Sequence, residues 1–207
     1  SIQGNTGADS LSGGDNDDEF VYALDANLFS GVNLVDVLDG GTGTDSIAIN
    51  NNGDATFTIA VGDLFTSRQS GIEGIKAYAA SDNIITTTLA DSSYEAGLRF
   101  IDYSADTDAT ATNVLDVDAE TGTGNGYILT GSAGIDSVDG GAGADTVSGG
   151  GANDTIQGNE GADQLTGGVG ANDFVFDASA ATNGVDTITD FVVANTDQLD
   201  VTAYLTT

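Results

Sequence analysis

Between residues 131 and 175 the apolar side chains of this sequence are solitary and evenly spaced. Val138, Val147, Ile156, Leu165 and Phe174 stand nine residues apart, separated by Gly, Asp and small polar residues. The spacing divides the stretch into five units: GSAGIDSVD, GGAGADTVS, GGGANDTIQ, GNEGADQLT and GGVGANDFV. The three residues around each apolar position predict a short strand with one side chain pointing inward. Gly at the head of every unit permits the positive-φ turn and close backbone approach that other residues resist. Two units then form one coil, with strands on opposite faces, and coils stack at ~4.8 Å. Units of the same form, GNTGADSLS and GGDNDDEFV, cover residues 4–21, and GGTGTDSIA covers 40–48.

The middle of the chain has a different rhythm. Apolar, Thr-rich runs occur at 56–61, 74–78, 83–89, 97–101, 113–117 and 126–130, and a Leu or Ile recurs near 85, 100, 115 and 129. This interval of about 15 residues predicts longer solenoid rungs without tight loops. A small helix is expected at 90–97. The chain has no Pro, which suits a continuous ladder because Pro cannot donate to one. The expected fold is all-β, a parallel β-roll and β-solenoid. Its expected segments are 1–49, an N-terminal roll module; 50–130, longer rungs; 131–176, five nonapeptides; and 177–207, a C-terminal β cap.

The sixth place of the units is Asp9, Asp18, Asp45, Asp136, Asp145, Asp154, Asp163 and then Asn172. In a coil of two units, residues i and i+18 lie one above the other. Two bare carboxylates ~5 Å apart at an effective dielectric of ~20 repel by roughly 3 kcal/mol. Such a stack requires a cation between its turns. Oxygen donors without N or S select a hard cation, and a flexible loop cage suits calcium better than magnesium.

Composition narrows the function further. With 3 Lys and Arg against 33 Asp and Glu, the net charge is -30. So few basic residues cannot neutralise a nucleic-acid backbone and give no patch for an anionic membrane. No apolar run is long enough to span a bilayer. The absence of His and Cys removes Ser-His and Cys-His catalysis, zinc sites of those ligands and disulfides. Carboxylate pairs are inevitable among so many acids, and calcium accounts for them better than hydrolysis does, so no enzymatic activity is expected. Without calcium the chain should repel itself and stay expanded. Sites with Kd of ~10⁻⁴–10⁻³ M would fill outside a cell, making folding a binding event.

These units resemble the nonapeptide G-G-x-G-x-D-x-U-x of the RTX (repeats-in-toxin) proteins, a parallel β-roll with calcium in its turns. The resemblance implies several calcium ions, an extracellular or cell-surface home and type I secretion. The expected ligands are the sixth-place residues named above. They are joined by backbone carbonyls near Gly4, Gly13, Gly40, Gly131, Gly140, Gly149, Gly158 and Gly167, and by Asp190 in the segment after the roll. Two departures stand out. Ala152 replaces a loop Gly, and Asn172 replaces Asp, which should weaken the last site.

Residues 1–22 and 155–176 share an I-Q-G-N-x-G-A-D-x-L-[ST]-G-G core and end in Phe-Val-aromatic triplets. Ser1-Ile2-Gln3 fill the last three places of a unit. Asp9 and Asp18 are therefore half-sites, unless the later segment Asp36 to Asp45 folds back on them. A neighbouring subunit stacked head to tail would complete them, giving a polymer. The alternative is an RTX module of a larger secreted adhesin, with a surface glycan or other matrix component as partner.

Other residues receive plainer readings. Phe20-Val21-Tyr22 and Phe174-Val175-Phe176 are roll-end core, and Arg68, Lys76 and Arg99 are local ion-pair partners. Thr86-Thr87-Thr88 is strand packing, since an ice-binding face needs a Thr column repeated coil after coil and the sequence offers none.

Overall fold

The computed structural model describes residues 1–23, 28–30, 33–50, 56–59, 69–78, 85–90, 93–94, 96–119, 121–122, 124, 126–176, 184–193 and 196–202. They form a succession of short strands stacked into two long parallel sheets. The larger sheet has eight strands. It runs from Glu19–Tyr22 through Ser46–Ile49, Gly74–Ala77, Phe100–Asp102, Ile128–Thr130, Thr146–Gly150 and Gln164–Gly168 to Thr187–Ile188. The facing sheet has seven, from Phe57–Ile59 through Ile85–Ala90, Thr112–Ala119, Ile135–Asp139, Thr155–Gln157 and Asp173–Val175 to Gln198–Asp200. A three-stranded parallel sheet, Ser10–Asp15, Val37–Thr42 and Gln69–Ser70, belongs to the N-terminal coils. Among the described residues no helix is long and apolar enough to cross a membrane.

The expected all-β solenoid is the fold observed. In the nonapeptide block each strand buries one central apolar side chain, as in Ile135–Asp139, where Val138 is buried between exposed Ser137 and half-buried Asp139. Those side chains stack rung on rung. Ile47, Ile75, Ile101, Leu129, Val147 and Leu165 form one fully buried column. Leu115, Val138, Ile156 and Phe174 form the other. The six apolar runs of the middle segment each contain a strand, and their rungs are longer, with Ile85 in register with Asn113, 28 residues on. The interval of about 15 residues is half of such a coil, because successive apolar runs fall on opposite sheets.

Within the segment 90–97, where a small helix is expected, Ser93 and Tyr94 are helical. Ala90 ends a strand, and Gly97 and Leu98 donate to the carbonyls of Tyr94 and Ser93 in a single turn. Gly97, with φ +114, closes the turn. Residues 91, 92 and 95 of that segment lie outside the described residues.

Candidate metal centre

Each rung is held in register by one recurring hydrogen bond. The amide that precedes a strand donates to the side-chain oxygen of the residue stacked above it, one coil further on. On one side of the roll Asp136 N–H donates to Asp154 Oδ1 at 2.9 Å, Asp154 to Asn172 Oδ1 at 3.0 Å, and Asn172 to Asp197 Oδ1 at 3.0 Å. On the other, Tyr127 N–H donates to Asp145 Oδ1 at 2.7 Å, Asp145 to Asp163 at 2.8 Å and Asp163 to Asp186 at 3.0 Å. The sixth-place Asp therefore has a backbone task besides any ligand role.

That task occupies one carboxylate oxygen. The second, Oδ2, is buried without a hydrogen-bond partner in Asp45, Asp154 and Asp163. It packs over the Gly that heads its own unit, alongside a carbonyl from a neighbouring coil. A Cβ built on Gly140 would stand 2.8 Å from Asp145 Oδ2 and 2.7 Å from Gly158 O. One on Gly149 would fall against Asp154 Oδ2 and 2.8 Å from Gly167 O. Leaving a charged oxygen buried and unpartnered is costly. Burial accordingly pushes the Asp154 and Asp163 carboxyls up to about 7, so the proton competes for these oxygens near neutrality. Among the described residues no group of three or more acidic side chains is placed to hold an ion by itself. A cation in these loops would take its other ligands from backbone carbonyls. An all-oxygen cradle with an orphaned carboxylate oxygen and room only for Gly fits a hard divalent cation such as calcium.

The model of the RTX calcium-binding nonapeptide repeat, in four copies, matches residues 1–28, 121–156 and 148–178. In these segments the chain is similar to the RTX calcium-binding nonapeptide repeat. No curated protein and no solved structure matches the chain. The RTX repeat is a known calcium-binding motif, typical of secreted proteins, and its β-roll is a structural and binding fold rather than a typical enzyme scaffold.

In the N-terminal RTX module the later segment does fold back on the earlier loops. Asp9 N–H donates to Asp36 Oδ1 at 2.9 Å and Asp18 N–H to Asp45 Oδ1 at 2.7 Å, each 27 residues on. Asp45 N–H in turn donates to Glu73 Oε2 at 2.8 Å. Gly4 faces Asp9 and Asp36, Gly13 faces Asp18, and Gly40 faces Asp45, as in the C-terminal loops. In the first loop the Tyr22 hydroxyl donates to Asp36 Oδ2 at 2.7 Å, and that oxygen is thereby satisfied.

Three expected ligands have distinct surroundings. Asp136, facing Gly131, receives Ser132 N–H on Oδ2 at 2.5 Å, the Ser132 hydroxyl on both oxygens, and Asn113 N–H on Oδ1 at 3.3 Å. Its carboxyl is nonetheless raised, because burial outweighs those bonds. Asp190 spans the amides of Gly167 and Gly168 with its two oxygens, at 2.8 and 2.7 Å. Asn172, over Gly167, gives its carbonyl oxygen to Asp154 N–H and leaves its buried amide nitrogen without a partner.

The hydrogen-bonded columns also contain Asp36, Glu73, Asn113, Asp186 and Asp197, which a fixed 18-residue period does not find. Their coils are 23 to 28 residues long. A local signal was present: an acid or amide two places before the buried centre of a strand, as in Glu73-Gly74-Ile75, Asn113-Val114-Leu115 and Asp186-Thr187-Ile188. It holds at these changes of rung length but not at Arg99-Phe100-Ile101 or Tyr127-Ile128-Leu129.

The aromatic triplets are core: Phe20, Val21, Tyr22 and Phe174 are buried, with Phe176 packed against them. Lys76 and Arg99 meet rings where ion pairs were the expectation. Lys76 Nζ lies 5.5 Å from the Phe100 ring centre and the Arg99 guanidinium 3.6 Å from that of Tyr94. Arg68 lies outside the described residues. Thr87 is buried and bonded to the Tyr103 hydroxyl, as strand packing predicts. A short hydroxyl column nevertheless exists elsewhere. Thr130, Ser148 and Thr166 are in register at the 18-residue period, and the Thr166 and Thr189 hydroxyls, 23 residues apart, lie 2.7 Å from each other.

Proposed function

We propose that this calcium-binding β-roll chain is an extracellular structural protein, a subunit that stacks head to tail into a filament or surface layer. It would leave the cell by type I secretion with its calcium loops unfilled and complete its fold on meeting external calcium. The observation that carries the reading is the likeness of its first edge to an interior rung. Ile2 bridges Phe20 in parallel, with the same neighbours in sequence as Ile156 beside Phe174. At the opposite edge the strands Thr187–Ile188 and Gln198–Asp200 carry exposed Val185, Leu199 and Val201 beside Asp186 and Asp197. Edges of matched register with acidic columns on both sides would join through shared calcium, and a contact of this heterologous kind propagates.

The same edges would equally accept further coils of one longer chain. This supports the second reading, an RTX module of a larger secreted adhesin that engages a surface glycan or another matrix component. Electron microscopy and light scattering after adding millimolar calcium to chelator-treated protein separate the two. Filaments or sheets that dissolve in chelator are the expected result, and compact monomers at every concentration would leave the adhesin module.

A further inference from the structure

Two members of the hydrogen-bonded columns are Asn, and both are fully enclosed. Asn and Asp differ there by more than charge. The oxygen of Asn113 accepts Ile85 N–H at 2.8 Å, and that of Asn172 accepts Asp154 N–H at 3.0 Å. Since only the amide oxygen can accept, this register bond fixes which way each group lies. The NH2 is then turned toward the point that the second oxygen faces in Asp154. A donor with partial positive charge occupies the direction from which a cation must be coordinated.

At Asn113 the NH2 is used. It donates to Asp106 Oδ2 at 3.4 Å and to Ser132 Oγ at 3.2 Å, and Ser132 passes the chain on to Asp136. Ser132 stands at the second place of its unit, where the next unit has Gly141, and its hydroxyl also accepts Gly134 N–H at 3.0 Å. Asp106, Asn113, Ser132 and Asp136 are all buried. Here a closed set of hydrogen bonds does what a cation would do in the neighbouring loops. At Asn172 the NH2 has no acceptor.

We infer that Asn113 and Asn172 exclude calcium from their loops and so mark the two limits of the calcium-filled stretch on that side of the roll. The rung at Asn113 then stands without metal, as a fixed floor on which the calcium-filled coils build. Its neighbourhood has the apolar support to do so: Ile85, Leu115, Val117, Tyr103 and Leu129 are buried around it, against one apolar side chain per nonapeptide strand.

The inference rests on the calcium reading of the RTX loops. Native mass spectrometry of the calcium-loaded chain counts its ions. Asn172→Asp should bind one more calcium than the wild type. A wild type that binds calcium beside an N172D that gains none overturns this inference alone, and a wild type that binds none overturns both. An N172D chain unable to fold in calcium also counts against it, because the ion should neutralise the new carboxylate. Hydrogen exchange supplies the second arm. In chelator the wild-type strand Thr112–Ala119 should remain protected longer than Thr155–Gln157. In Asn113→Asp, protection of Thr112–Ala119 should require calcium. Loss of both wild-type strands together in chelator, or an N113D strand protected without calcium, overturns the inference.

Discussion

Asp136 donates its backbone amide to one oxygen of Asp154 at 2.9 Å, while the other oxygen of Asp154 is buried with no hydrogen-bond partner. One side chain thus sets strand register with Oδ1 and offers Oδ2 to a cation. Substitution can separate the tasks. Asp154→Ala removes both and leaves the Asp136 amide unsatisfied, at a cost of about 1–3 kcal/mol. Its melting temperature should fall in chelator and in calcium alike. Asp154→Asn keeps the register bond but turns an NH2 toward Gly149, so its loss should appear in the calcium midpoint of folding. Circular dichroism against free calcium checks this. A wild-type midpoint for D154N would show that Oδ2 binds no ion.

The pH dependence has a definite sign. Burial raises the folded carboxyls of Asp154 and Asp163 from 3.8 to about 7, so between those values the folded chain holds protons that the unfolded chain releases. The calcium-free fold is therefore favoured at low pH and loses stability as pH rises from about 4 to about 7. Calcium competes with the same protons. Its affinity should rise over that window, and its binding should release protons. Thermal melts in chelator at about pH 5 and about pH 8 test the first statement, and pH-stat titration tests the second. Stability in chelator that rises between those two pH values would remove the desolvation argument.

The glycine cradle predicts a contrast between two Gly→Ala changes. At Gly149 the new methyl would meet Asp154 Oδ2 and the Gly167 carbonyl, both fixed by neighbouring rungs. At Gly124 nothing among the described residues lies within 4 Å of it. Gly149→Ala should weaken calcium binding by tenfold or more, about 1.4 kcal/mol, whereas Gly124→Ala should leave it unchanged. Calorimetric calcium titration of the two variants provides the comparison, and equal affinities would mean that the ion does not use the space over Gly149.

Sequence made the nonapeptide coils legible because each loop there repeats the same backbone path. Identical spacing put Asp136 over Asp154 and Asp145 over Asp163, and the structure keeps both pairs. The columns beyond the block escaped a fixed period. A parallel rung needs only that its strand regain register, so the intervening loop can take 23 residues before Asp186 or 28 before Glu73 without disturbing the ladder. The Asn113–Ser132–Asp136 network was illegible for another reason. It joins Asn113 on one coil to Ser132 and Asp136 on the next, and although Asn113 stands two places before Leu115, nothing local to it tells which partners its NH2 will meet.

Ala152 offers a test of the backbone itself. It occupies the fourth place of its unit with φ +61, where the next two units have Gly161 at +135 and Gly170 at +137. A non-Gly residue in the left-handed region costs roughly 1–2 kcal/mol. Replacing it by Gly also loosens the unfolded chain, which gives back about 0.4–1 kcal/mol. Strain is the larger effect, so Ala152→Gly should stabilise the calcium-loaded fold by about 1 kcal/mol. In a chain of this length that is a rise of about 2–4 °C in Tm. Thermal melting in saturating calcium measures it, and a fall in Tm would show that the Ala152 methyl contributes packing that exceeds the relief of strain.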